Sequence, residues 1–157
     1  MANLFWKRHR VVKSLLATQF RTEEEFEKTV FDTPEILEDI FLLKRQIRGG
    51  NKTGIPDIIG IDSDGNICII EMKNVTVDSS IIPQVLQYAF WAGRNPDSIK
   101  TLWLECKNKP DNLEITFENY QIRILILAPT IHRSTLDYVD TRRRPAVDPS
   151  SSTIPET

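Results

Sequence analysis

The sequence predicts an α/β domain in which helices flank a central mixed β-sheet. Residues 54–73 (GIPDIIGIDSDGNICIIEMK) contain two β-branched apolar segments joined by an Asp64-Gly65 turn, a pattern typical of a β-hairpin. Residues 81–92 (IIPQVLQYAFWA) then have the composition of a helix, and residues 122–128 (IRILILA) that of a buried strand. A helix that crosses over between strands favours parallel pairing, so the sheet should be mixed.

Two helices are predicted before the hairpin. Thr22 followed by Glu25 is a capping-box pattern, which indicates that the first helix begins near Glu23. Thr33-Pro34 then predicts a second helix start, because proline is well tolerated in a first turn. Apolar residues at helical spacing extend this second helix to about Leu43.

The elements after the hairpin follow similar signals. Ser79 or Ser80 would cap the helix over residues 81–92, and Gly93 would end it. Residues 101–105 (TLWLE) are predicted as a further buried strand. The polar residues 107–120 are expected to form a long loop or an extra hairpin.

Composition indicates one globular domain. The chain has 157 residues, of which 40% are hydrophobic and 27% charged. We place this domain at residues 22–140. Residues 1–21, which alternate basic and apolar groups, form an N-terminal extension that is either a short helix or a strand. Residues 141–157, rich in Arg, Pro, Ser and Thr, are predicted as a flexible C-terminal tail.

Several functional classes lose support from composition. Cys68 and Cys106 have no CxxC spacing, so neither a disulfide framework nor a zinc site is indicated. The sequence has no apolar stretch of signal-peptide or membrane-span length and no evident nucleotide-cofactor motif, so a cytoplasmic protein is expected. With a net charge of −2, any nucleic-acid binding must depend on local basic clusters.

The open end of the hairpin carries an unusual set of charges. A three-residue loop, Ser63-Asp64-Gly65, would set Ile59 opposite Ile69, and Asp57 opposite Glu71. Two opposed carboxylates would repel by about 3 kcal/mol at an effective dielectric near 20. A divalent cation such as Mg²⁺ between them would remove this repulsion. Lys73 would project from the same face and could reach the same site.

An ordinary structural explanation is also open at this point. Charged strand ends are common, and Lys73 would simply neutralise the two acids. A one-residue slip in pairing would also place Asp57 and Glu71 on opposite faces. Gln84 and Tyr88, four residues apart on one face of the following helix, add an amide that could orient water or phosphate.

Taken together, these motifs resemble the PD-(D/E)xK nuclease superfamily, and most closely the nuclease domain of NucS-type (EndoMS) DNA endonucleases. The matching motifs are Pro56-Asp57, Glu71-Met72-Lys73 and Gln84 with Tyr88. The resemblance runs from about residue 22 to residue 130 and implies a restriction-endonuclease-like core. One departure is that Asn74 follows Lys73 where the family often has a basic residue.

The resemblance implies a function and a set of roles. Asp57, Glu71 and the backbone carbonyl of Met72 would hold Mg²⁺ or Mn²⁺, and Lys73 would assist the attacking water. Gln84 would support the site, with Tyr88 beside it. The acid that many members add from the first helix would be Glu27, or alternatively Glu25. The expected activity is endonucleolytic hydrolysis of DNA, in repair or in restriction and defence, leaving a 5′-phosphate and a 3′-hydroxyl.

Basic residues near the hairpin are candidates for DNA contacts. These are Lys44, Arg45, Arg48 and Lys52, with Lys7, Arg8, Arg10 and residues 142–144 (RRR) further out. Ordinary solvated surface is an equal alternative for each cluster. A homodimer would suit cleavage of two strands. Competing functions are an inactive nucleic-acid-binding or assembly subunit with the same fold, and an RNA-cleaving relative.

Overall fold

The computed structural model describes residues 4–8, 10–15, 19–45 and 56–140. Its elements in chain order are strands β1 (Leu4–Arg8) and β2 (Val11–Leu15), helix α1 (Glu23–Asp32), a 3₁₀ turn (Pro34–Leu37), strands β3 (Ile40–Arg45), β4 (Ile58–Asp62) and β5 (Ile67–Met72), helices α2 (Ile81–Arg94) and α3 (Pro96–Glu105), strand β6 (Ile122–Leu127) and helix α4 (Arg133–Asp140). None of these helices is long and apolar enough to cross a membrane.

The central sheet has four strands in the order β3-β4-β5-β6. Strands β3, β4 and β5 pair antiparallel, whereas β6 pairs parallel to β5 after the crossover through α2 and α3. The predicted mixed sheet flanked by helices is therefore confirmed. Of the two alternatives for residues 1–21, the strand applies, since β1 and β2 form a separate antiparallel pair.

Strands β4 and β5 are buried throughout because both sheet faces are covered. One face, with Ile59 and Ile69, packs against α2 and α3. The other face, with Ile58 and Ile70, packs near Val30 of α1. Residues 107–120 form a loop without strands, and its apolar side chains pack on the first face, so the extra hairpin is not formed.

The turn between β4 and β5 sets the register of the hairpin. Gly65 has φ +80, the left-handed conformation that glycine adopts freely. The carboxylate of Asp62 accepts hydrogen bonds from the backbone N–H of Asp64 at 3.0 Å and of Asn66 at 2.9 Å. The observed partners include Ile59↔Ile69 and Ile61↔Ile67. The predicted register is confirmed.

An ion pair ties this turn to β6. The guanidinium of Arg123 lies 2.8 Å from the buried carboxylate of Asp62. Burial alone would raise the pKa of Asp62, but the hydrogen bonds from Arg123 and from the turn hold it below its usual value. The carboxylate of Asp62 is therefore ionised, and it stabilises the turn and its contact with β6.

Two secondary-structure predictions were wrong. The second helix does not reach Leu43: it is only a 3₁₀ turn, and residues 40–45 form β3. The helical spacing of apolar residues also fits a short turn followed by a continuous apolar strand, and pairing with β4 decides between them.

The strand predicted at residues 101–105 was also wrong, because these residues are the second half of α3. Pro96 occupies its first turn, and Ile99 and Trp103, spaced i and i+4, pack against the core. Helix α2 begins after Ser80, without a side-chain cap, and continues through Gly93 to Arg94. Helix α4 was not predicted.

Substitution of Gly65 by alanine should lower the free energy of unfolding by about 1–2 kcal/mol. Its left-handed φ is unfavourable for alanine. The added Cβ would lie 2.5 Å from the carbonyl oxygen of Glu114, in the loop formed by residues 107–120. Chemical denaturation would measure the loss, with alanine at the exposed Gly93 as the helical control. An unchanged midpoint for Gly65→Ala would contradict this account of the turn.

Candidate active site

Asp57 lies immediately before β4, at the open end of the hairpin. Its Oδ2 accepts a hydrogen bond of 3.2 Å from the backbone N–H of Met72 at the end of β5. The ladder ends at Ile58↔Ile70, so Asp57 and Glu71 are next in register. Burial, followed by the negative charge of Glu71, raises the pKa of Asp57 to about 7. The structure therefore brings the two acids together.

Glu71 is fully buried in β5. Its Oε1 accepts a hydrogen bond of 2.7 Å from Nε2 of Gln84 and lies 2.9 Å from Nζ of Lys73. Its Oε2 is also buried, and no hydrogen-bond donor among the described residues reaches it. A buried carboxylate oxygen without a donor is costly, and it is the kind of ligand that a hard cation takes.

Lys73 follows β5 and turns its ammonium group back toward the acids. Its backbone N–H donates to the carbonyl of Leu127 at 2.9 Å, which continues the pairing with β6. Its Nζ lies 2.9 Å from Glu71 Oε1 and 3.1 Å from Glu23 Oε1. Burial opposes the charge, but the contacts with Glu71 and Glu23 outweigh it and raise the pKa of Lys73 above its usual value.

Gln84 and Tyr88 lie on the face of α2 that covers this end of the hairpin. The Nε2 of Gln84 is 2.7 Å from the hydroxyl oxygen of Tyr88 as well as 2.7 Å from Glu71. Burial raises the pKa of Tyr88, so its phenol stays protonated. The i, i+4 spacing in the sequence thus places both side chains beside Glu71.

Helix α1 supplies two acids to the same place. The carboxylate oxygens of Glu23, Glu27 and Asp57 all lie within 4.8 Å of one another. Glu25, the alternative to Glu27, instead accepts a hydrogen bond of 3.0 Å from the backbone N–H of Arg21, the residue before the Thr22 cap. Glu23 was missed, although its i, i+4 spacing from Glu27 could have indicated it.

The basic residues before the hairpin divide into two groups. Arg45 lies at the end of β3 with its guanidinium 4.0 Å from Glu27 Oε2 and 3.5 Å from the carbonyl of Glu24. It therefore faces the acidic cluster. Lys44 is exposed, and its contact with DNA stays a prediction. Arg48, Lys52 and the tail at residues 141–157 lie outside the described residues.

The donor set fits a hard divalent cation. Carboxylate oxygens of Glu23, Glu27 and Asp57 lie within 4.8 Å of one another, and Glu71 is next in register to Asp57. Mg²⁺ or Mn²⁺ prefers such oxygen ligands. The unpartnered Glu71 Oε2 is the observation that supports this fit. The backbone carbonyl of Met72 remains a predicted ligand.

Comparison with known proteins supports the resemblance. The chain is 36% identical over 70 residues to Endonuclease NucS of Pyrococcus horikoshii, covering 43% of this chain and 26% of that protein. It is 35% identical over 69 residues to Endonuclease NucS of Thermococcus kodakarensis, again covering 43% of this chain and 26% of that protein. No family model matches the sequence.

Two solved structures share the fold. One is a repair endonuclease from Pyrococcus abyssi, with TM-score 0.51 and 21% identity, covering 83% of this chain and 47% of that chain. The other is a complex of EndoMS with double-stranded DNA, with TM-score 0.50 and 19% identity, covering 83% and 47% of the two chains. The predicted α/β core and the resemblance to NucS-type endonucleases are confirmed. The chain spans about a quarter of the length of these curated relatives.

Proposed function

We propose that this chain is a metal-dependent endonuclease that hydrolyses phosphodiester bonds of DNA. The observation that carries the proposal is the buried Glu71, which is held by Lys73 and Gln84 and lies next in register to Asp57. The named activity of the NucS relatives supports it. One structural neighbour is a repair endonuclease, which favours repair over restriction.

The acids would hold the cation. Asp57 and Glu71, with the Met72 carbonyl and Glu27, would supply oxygen ligands from β5, α1 and the residue before β4. When bound, Mg²⁺ or Mn²⁺ polarises a phosphoryl oxygen and lowers the pKa of water. The hydrogen bond from Met72 N–H fixes the Asp57 carboxylate in its orientation.

The other residues act on water and on charge. Lys73 presents an ammonium group that orients the attacking water and stabilises negative charge on the phosphate in the transition state. Gln84 fixes Glu71 Oε1, and Tyr88 fixes Gln84. The water oxygen bonds to phosphorus as the bond to the 3′ oxygen breaks. One water proton ends on that 3′ oxygen and the other on the new 5′-phosphate.

The decisive experiment is cleavage of single-stranded, duplex, flap and mismatched DNA, with matched RNA substrates alongside. We expect cleavage of at least one DNA form with Mg²⁺ or Mn²⁺ and none in EDTA, because the proposed reaction needs a bound cation. The product ends would be a 5′-phosphate and a 3′-hydroxyl.

Each other outcome rejects a part of the proposal. Cleavage that persists in EDTA or in Lys73→Ala would reject this site. Cleavage of RNA alone would favour the RNA-cleaving relative. Salt-sensitive DNA binding without cleavage on any substrate would favour the inactive binding subunit.

A further inference from the structure

Lys73 lies between two carboxylates, and its contact with Glu23 is independent of its contact with Glu71. Glu71 Oε1 is shared between Lys73 at 2.9 Å and Gln84 at 2.7 Å. Glu23 Oε1 is 3.1 Å from Lys73 Nζ on its other side. A flexible lysine side chain has about 2 kcal/mol of rotamer entropy, so one shared contact alone would hold it loosely.

The position of Glu23 is itself fixed by the start of α1. Thr22 Oγ1 accepts a hydrogen bond of 3.1 Å from the backbone N–H of Glu25, so Thr22 caps the helix and Glu23 is its first residue. The side-chain amide of Asn74, adjacent to Lys73, donates to the carbonyl of Phe20. Phe20 also stacks on Phe26 of α1, with ring centroids 4.8 Å apart. The helix start and the lysine are thus tied together by contacts other than the ion pair.

The two acids of α1 have different surroundings. Glu27 is buried, whereas the Glu23 side chain is 40% exposed. Both approach Asp57, but Glu23 also contacts the lysine. Their spacing of four residues puts them on one face of α1, one helical turn apart, so the two side chains can contact different groups of the site.

We propose that Glu23 is a positioning residue that holds the Lys73 ammonium in place, while Glu27 serves the cation. The inference rests on the proposed nuclease function and adds a residue to it. Glu23 acts through Lys73, so its loss should reduce catalysis without weakening cation binding.

The test compares Glu23→Gln with Glu27→Gln and with a matched control, Glu24→Gln, which removes one negative charge from the same exposed helix turn. We expect Glu23→Gln to lower kcat about 10–100-fold, with KM and the calorimetric Mn²⁺ affinity within threefold of the unsubstituted protein. Glu27→Gln should weaken Mn²⁺ binding at least tenfold. Glu23→Asp should recover part of the lost kcat.

A second measurement does not depend on activity. The rate at which acetic anhydride labels Lys73, followed by mass spectrometry, should rise at least threefold in Glu23→Gln and stay unchanged in Glu24→Gln. Failure of the unsubstituted protein to cleave DNA would reject the proposed function. The labelling would still test whether Glu23 holds the Lys73 ammonium group in place. Weakened Mn²⁺ binding in Glu23→Gln would show that Glu23 is a cation ligand, and unchanged kcat and labelling would show that it has no role.

Discussion

Replacement of Lys73 by alanine is expected to lower kcat for DNA cleavage by about 10³-fold or more, while leaving Mn²⁺ binding intact. The ammonium group lies 2.9 Å from Glu71, where it can orient water and stabilise charge on the phosphate. It is not itself a cation ligand. Asp57→Ala should cause a similar loss of kcat but should also abolish Mn²⁺ binding, because it removes a ligand.

Cleavage assays and calorimetry on the same preparations separate these two effects. Lys107→Ala is the matched control, because Lys107 is an exposed lysine in the loop formed by residues 107–120. It should leave kcat and Mn²⁺ binding unchanged. Since Lys73→Ala leaves Glu71 with Gln84 as its remaining partner, Lys73→Gln serves as a second variant that preserves a donor. Full activity in either Lys73 variant would contradict the assigned role.

The hairpin was predictable because its determinants are local. The Asp64-Gly65 turn selects the loop, the loop selects the register, and the register decides that Asp57 lies beside Glu71. The Gln84 and Tyr88 pair was likewise predictable from helical spacing alone. The crossover helix also predicted a mixed sheet, but the sequence did not indicate that β6 is the strand parallel to β5.

The errors arose where tertiary pairing decides the structure. Residues 40–45 carry a spacing that suits a helix as well as a strand, and pairing with β4 makes them β3. The approach of Glu23 to Lys73 spans 50 residues of sequence and depends on how α1 packs against the sheet. Local patterns could place Glu23 and Glu27 on one face, but they could not show that this face meets Asp57.

The metal-free protein should lose stability as the pH rises from about 4 to about 7. Asp57 has its pKa raised from 3.8 to about 7 in the folded state. The folded protein therefore keeps this proton over a pH range in which the unfolded chain has released it, and stability falls as pH increases. Solvent screens the charge of the partly exposed Asp57, so the free energy of unfolding at pH 8 should be lower by only about 2 kcal/mol.

Asp57→Asn should be more stable than the unsubstituted protein without metal and less stable than it with Mn²⁺. The amide carries no charge and still offers an oxygen to Met72 N–H, so the metal-free variant should be the more stable protein at pH 8. Mn²⁺ at 100 times its Kd should add about 2.7 kcal/mol to the free energy of unfolding of the unsubstituted protein and little to that of the variant.

Chemical denaturation at pH 5 and pH 8, with EDTA or Mn²⁺, measures all of these values. Asp111→Asn, at an exposed loop position, is the matched control. If Asp57→Asn were less stable than the unsubstituted protein in EDTA at pH 8, or if Mn²⁺ stabilised both equally, Asp57 would have a purely structural role.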